Sequence, residues 1–181
     1  LEGALIEKVD AILQKLYLSR EQRIHPFRDE KLIVSWTGAM ISTLAQAGFY
    51  FMNCEWTGAA ERAAQIIYEH NVRQDGRLNR VYLNGATSIE GQLEDFANLI
   101  QGLLVLFNVT GNQQYLLWAV GLMDTTIHEF WDDKEGGFFL SPHDQVGPQL
   151  SRSRNASDGA TISPIATILD CLLRLLRRSA L

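Results

Sequence analysis

Apolar residues recur at the three- and four-residue spacing of helices in six separate segments, and this spacing predicts a mostly α protein. Over residues 3–19, Leu5, Val9, Ile12, Leu13, Leu16 and Tyr17 form one stripe against Glu7, Lys8, Asp10 and Gln14, the pattern of a surface helix. Over 35–47, Trp36, Met40, Leu44 and Ala47 take one face and Ile41 and Ala45 another, so little of this second helix is left for water, and Gly48 is expected to close it in the left-handed conformation. Amphipathicity returns over 56–70, where Ala59, Ala60, Ala63, Ile66 and Ile67 oppose Glu61, Arg62, Gln65 and Glu69. The fourth segment, 88–111, is apolar nearly all round; Thr87 and Glu90 are expected to form its capping box and Gly111 to end it. The fifth, 113–131, is amphipathic again, and the sixth starts with Ser163 as cap and Pro164 at the first helical position, ending among Arg174, Arg177 and Arg178.

Enclosed helices (second, fourth, sixth) thus alternate with amphipathic ones (third, fifth), and Trp36, Asp95 and Asp158 recur at intervals of 59 and 63 residues. A repeated helical hairpin of about sixty residues, with an inner layer covered on both sides and an outer layer wet on one, predicts part of an α/α toroid. The fold class is therefore all-α, about three hairpins or half a six-hairpin ring, with an open edge. Two extended pieces interrupt it, RLNRVYLNG (77–85) after the turn at Asp75-Gly76 and GGFFLS (136–141) after the turn at 132–135, and are expected as short β-hairpins on the rim.

The fourth helix raises a chemical question, because Glu94 and Asp95 sit side by side in its first turns. An ionised carboxylate is costly in an enclosed helix unless it is paired or hydrogen-bonded. Either Asp95 holds one hairpin to the next through an arginine or backbone N–H groups, or it sits near the lumen mouth as a general acid or base. Asp29 precedes the second helix and Asp158 the sixth. If the inner helices run parallel, Asp29, Asp95 and Asp158 gather at one end, where helix N-termini carry partial positive charge. These three are the candidate catalytic residues. His25, Arg28, Trp36 and Glu94 are the candidate substrate contacts, with Trp36 as a stacking platform for a sugar ring; Arg23, Arg152 and Arg154 come from the same loops. The turn FWDDKEGGFF lacks the ligand spacing of a calcium loop.

Composition narrows the function classes. The 181 residues carry a formal charge of -5 and a sequence pI near 5.3, which argues against a nucleic-acid or anionic-membrane partner. No apolar run approaches the ~20 residues needed to span a bilayer, and the reading is a cytoplasmic protein of one domain over 1–181. Cys54 and Cys171 are expected as two buried, reduced thiols. His25, His70, His128 and His143 are scattered, so no metal site and no cofactor is expected.

RxHPxRDEK (23–31), SWTGAMISxLAQAG (35–48), GQLEDFANLIQGLL (91–104), FWDDKEGGFF (130–139) and SDGATISP (157–164), five motifs in order, resemble the α/α-toroid region of the thioredoxin-domain-containing proteins related to spermatogenesis-associated protein 20. The resemblance implies a thioredoxin-like domain ahead of a toroid similar to those of N-acylglucosamine 2-epimerases and six-hairpin glycosidases, with this chain a segment of the whole. By position it implies roles for His25, Pro26, Arg28, Asp29, Lys31, Ser35, Trp36, Gly38, Glu94, Asp95, Asp158, Gly159 and Ser163. Thr37 stands where the family pattern has Asn, and Ile162 and Ile165 where it has Pro and Asn, so two amide side chains at the mouth are missing. Two functions follow as expectations: a carbohydrate-active-like domain that binds or processes a sugar in the lumen, or a non-catalytic scaffold for the thioredoxin-like domain. The expected partners are a small carbohydrate, the remainder of the chain, and a second copy through the open edge.

Overall fold

The computed structural model describes residues 2–144 and 151–179. The chain divides into two compact units, Leu1–Glu30 and Lys31–Leu181. The first unit is helix α1 (Glu2–Glu21) and the loop after it, and the α1 stripe of Leu5, Val9, Ile12, Leu13 and Leu16 is exposed. A helix of this length without a buried face draws little stability from its own propensity.

The second unit carries β1 (Leu32–Ile33), α2 (Val34–Tyr50), α3 (Cys54–His70), β2 (Asn79–Leu83), β3 (Ala86–Glu90), α4 (Leu93–Thr110), α5 (Gln113–Phe130) and α6 (Pro164–Ser179). Helices α2, α4 and α6 make one layer, with α4 in the middle, and α3 and α5 pack outside them. Helix α4 buries eleven of its 18 residues, from Leu93 to Leu106, and is the enclosed element the sequence predicts. Its neighbours are enclosed on one side only: Trp36 and Met40 on α2 and Leu169, Leu173 and Leu176 on α6 are exposed. The described residues of the second unit, taken by themselves, form an open α/α arc.

Two glycines set the closest approach in the arc. A Cβ on Gly38 would lie 2.6 Å from the backbone of Asn98 and Leu99, and one on Gly102 would lie 2.7 Å from the Gly38 carbonyl. Helices α2 and α4 thus touch backbone to backbone, as only residues without a side chain allow. Gly48 serves a similar end. Instead of capping α2 it lies inside the helix, and a Cβ there would meet the Asn53 carbonyl at 2.9 Å; the chain reverses two residues past the helix, with Met52 at φ 51°.

The start of α4 also differs from expectation. Thr87 and Glu90 belong to strand β3, not to a capping box, and the helix begins at Leu93. Asn84 and Gly85, both at positive φ, turn β2 back onto β3, with Leu83 paired to Ala86 and Asn79 to Glu90. An Asn-Gly pair between extended segments takes this tight turn readily, and the pairing outcompetes the first turn of the expected helix. β1 adds to the other edge of β2, completing an antiparallel sheet in the order β1-β2-β3. The second predicted hairpin reduces to an isolated bridge between Trp131 and Phe138. Gly111, in contrast, ends α4 in the left-handed conformation as the sequence predicts. Of the two thiols, Cys171 is buried and pushed up to about 12 by burial and by Asp170, whereas Cys54, in the first turn of α3, is exposed.

Candidate functional site

The inner helices run parallel, and their N-termini meet at one end of the arc. Asp95 Oδ1 accepts the N–H of Ser35 in the first turn of α2 at 3.0 Å. Asn98 Nδ2 donates to the Ser35 carbonyl at 3.2 Å, so α2 and α4 begin side by side. On the other flank Thr161, just before α6, donates its hydroxyl to Glu94 Oε1 at 3.4 Å. The interval of 59 between Trp36 and Asp95 equals the span from the start of α2 to the start of α4, whereas Asp158 lies in the loop six residues ahead of α6.

Asp95 is fully buried, and both of its oxygens are engaged. Oδ2 accepts from Arg80 Nη1 at 2.9 Å and from the N–H of Gln92 at 2.9 Å, the reach-back half of the capping box that opens α4. Burial pushes the Asp95 carboxyl up, while the Gln92 N–H, Arg80 and the Ser35 N–H pull it back toward the charged form. Burial works against the Arg80 charge as well, yet attraction to Asp95 and Glu94 raises its pKa on balance. Burial outweighs the donors, so the Asp95 carboxyl lies above its ordinary value, and three donors are aimed at its two oxygens. Of the two readings of Asp95, this is the architectural one. Its oxygens join α2, α4 and β2 and neither reaches solvent, so it is not available to a substrate.

The other candidates sort by exposure. Glu94 is partly exposed and takes Arg80 Nη2 at 3.1 Å on its second oxygen. Asp158 is exposed; its Oδ1 accepts the Ser163 N–H at 2.9 Å and fixes the turn into α6, while the Ser163 hydroxyl, which the sequence assigns as the cap, makes no hydrogen bond. Trp36, one residue beyond Ser35, is 63% exposed. Trp36, Glu94, Asp95 and Asp158 thus all lie where the inner helices begin. His25, Arg28 and Asp29 belong to the first unit and are exposed; His25 hydrogen-bonds the Glu21 carbonyl at 3.2 Å and Arg28 the Glu30 carboxylate at 2.6 Å. Arg152 and Arg154 are framework: they sandwich the Phe139 ring at 4.0 and 4.2 Å, Arg152 binding the Ser141 and Glu129 carbonyls and Arg154 pairing with Asp132. Sequence reasoning missed Arg80, the partner of both adjacent acids. A single arginine on a hairpin strand has no local signature; only the β2–β3 turn brings it over the start of α4.

No protein-family model matches the chain. It is 31% identical to human spermatogenesis-associated protein 20 over 90% of its length, 32% identical to the rat protein over 96%, and 30% identical to an uncharacterized protein of Caenorhabditis elegans over 92%. The chain spans less than a quarter of the length of these relatives, between 22% and 24%. Among solved structures it is similar to the cellobiose 2-epimerases of Bacillus thermoamylovorans (TM-score 0.68, 15% identity, 84% of this chain and 41% of that one) and Spirochaeta thermophila (TM-score 0.64, 17% identity, 81% and 39%). It is also similar to a family 76 glycoside hydrolase, a mannosidase, of Bacteroides thetaiotaomicron (TM-score 0.54, 14% identity, 63% and 31%). At these identities the structural likeness establishes the fold. By sequence, then, the chain is a homologue of one segment of spermatogenesis-associated protein 20, and by fold it is part of an α/α toroid of the epimerase and glycosidase kind.

Proposed function

We infer that this segment forms one wall of a sugar-binding mouth in a longer protein, at the end of the arc where α2, α4 and α6 begin. The observation that carries the reading is the gathering of three parallel helix N-termini beside an exposed tryptophan, Trp36, with the Glu94 and Asp158 carboxylates on the same end. A sugar offers an apolar ring face and a fringe of hydroxyls. An exposed indole matches the first and carboxylates match the second. In this reading Trp36 is the stacking surface, Glu94 and Asp158 are the polar contacts, and Asp95 with Arg80 is the brace that fixes them. Any processing of the bound sugar, whether hydrolysis or epimerisation, falls to Glu94 and Asp158, because Asp95 has no oxygen to offer. Saturation-transfer NMR of the chain with mannose, glucose, N-acetylmannosamine and cellobiose tests the reading. Binding of at least one sugar that Trp36→Ala abolishes is the expected result; absence of binding by all four, or binding indifferent to Trp36→Ala, overturns it.

The complete pairing of Asp95 favours a second reading, a non-catalytic scaffold whose motif residues tie helical hairpins together and whose free edge carries the remainder of the chain, including the thioredoxin-like domain that the resemblance implies. The scaffold reading gains if no sugar binds while the arc remains folded.

A further inference from the structure

The four histidines are scattered in sequence, but two of them converge on one buried carboxylate. Glu129, at the end of α5, is 4% exposed. Its Oε1 lies 2.8 Å from His128 Nδ1 and its Oε2 lies 3.2 Å from His143 Nδ1, while the two imidazole rings meet edge to face at 5.6 Å. We propose that His128, Glu129 and His143 form a binding site for a divalent cation of the zinc class, with two imidazole nitrogens and one carboxylate as ligands and a coordination position open to solvent.

Distances and chemistry support the assignment. The three ligand atoms all lie within 4.8 Å of one another. In a tetrahedral zinc site with bonds of about 2.0–2.2 Å, ligand atoms stand roughly 3.3–3.5 Å apart, so the ion needs only small rotations of the two exposed rings. Two imidazoles and a carboxylate are also a donor set that zinc and its neighbours favour over calcium or magnesium, which take oxygen. Both histidine side chains are accessible, at 75% and 46%, so an ion has a path in and water a place on it.

The surroundings hold the ligands in place. Arg77 Nη2 lies 2.8 Å from Glu129 Oε2 and anchors the carboxylate, whose Oε1 faces His128. The same guanidinium grips Asp144, next to His143, through two bonds of 2.8 Å, and Arg152 donates to both the Ser141 and Glu129 carbonyls. The loop that presents His143 is therefore pinned on both sides to the end of α5, the kind of outer support that tunes a metal ligand. Charge also agrees. The Asp75, Glu90, Glu129 and Asp144 carboxylates face the guanidinium groups of Arg73, Arg77 and Arg152, a formal excess of one negative charge before any cation arrives. The site stands apart from the sugar-binding proposal and uses none of its residues.

Titrating the 181-residue chain with Co²⁺ while following visible d–d absorption, and with Zn²⁺ by calorimetry, tests the proposal. The expected result is one equivalent of metal bound at micromolar concentration, with Zn²⁺ displacing Co²⁺ and bleaching the bands. Losing an outer-shell partner already costs a metal site about 10- to 100-fold in affinity, so His128→Ala and His143→Ala should each weaken binding at least about 10-fold. Both side chains are exposed, and unchanged circular dichroism will report that the variants fold. His70→Ala, at a ring stacked on Tyr82 away from the cluster, should bind as the parent does. Failure of the parent chain to bind Zn²⁺ at millimolar concentration overturns the site. So does binding that survives the double His128→Ala, His143→Ala change, or that His70→Ala lowers equally.

Discussion

Replacing Asp95 with alanine would leave the N–H groups of Ser35 and Gln92 without their acceptor and Arg80 with Glu94 alone. Breaking a buried, hydrogen-bonded pair by removing one partner typically costs about 3–5 kcal/mol, and the expected loss here lies in that range, read as a lower urea midpoint. A Glu94→Ala change, at a partly exposed acid that keeps Asp95 paired, should cost about 1 kcal/mol or less. Equal losses for the two would contradict the assignment of Asp95 as the brace. At this scale the sequence is informative about chemistry and silent about partners. That a carboxylate in an apolar helix needs a strong partner follows from desolvation alone. Which partner it has does not, because Arg80 reaches it across a hairpin and Ser35 from sixty residues away. The same holds for His128 and His143: each is unremarked in its own stretch of sequence, and a turn, an arginine clamp and the end of α5 bring them together.

Helices, by contrast, were mostly legible, because hydrophobic spacing reports burial directly. The alternation corresponds to the inner α2, α4 and α6 and the outer α3 and α5, but of the inner three only α4 is enclosed; α6 is amphipathic, with Leu169, Leu173 and Leu176 exposed. Errors fell at element ends, where two local rules compete. Thr87 and Glu90 satisfy a capping box, yet Asn84-Gly85 makes a tight turn and Gln92 with Asp95 makes the real box further on. Gly48 satisfies a helix stop, yet its lack of a side chain is used for close packing against the turn into α3. That second use of glycine gives a prediction at the element scale. Gly102→Ala would force a methyl to within 2.7 Å of the Gly38 carbonyl and 3.1 Å of Ile41 Cγ2, separating α2 from α4. Overpacking of this kind costs about 1–3 kcal/mol. Gly121→Ala, in the exposed part of α5 with nothing within 4 Å, should instead gain up to about 1 kcal/mol from helix propensity. Denaturant melts of the two variants, run side by side, should move in opposite directions.

In the second unit, α2 carries much of the exposed apolar surface. Trp36, Met40, Phe49, Tyr50, Phe51 and Met52 are all exposed on α2 and at its end, and exposed large apolar side chains in such number favour association. Among the described residues no helix is long and apolar enough to cross a membrane. Light scattering of the chain behind size exclusion should therefore give a mass that climbs with concentration. A Phe51→Ser, Met52→Lys variant should climb less, and a parent chain that stays monomeric throughout would show that this surface is not adhesive by itself. One further consequence comes from the bond between Ser35 and Asp95. It joins residues sixty positions apart, whereas the β2–β3 hairpin joins neighbours. Closing a long loop is slow because its entropy is lost before contacts compensate, while a tight hairpin forms on a microsecond scale. The hairpin carrying Arg80 is therefore expected to form early, and the seating of α2 on α4 late. Substitutions in the Gly38–Gly102 contact should then act mainly on the rate of unfolding, and those in the Asn84-Gly85 turn on the rate of folding.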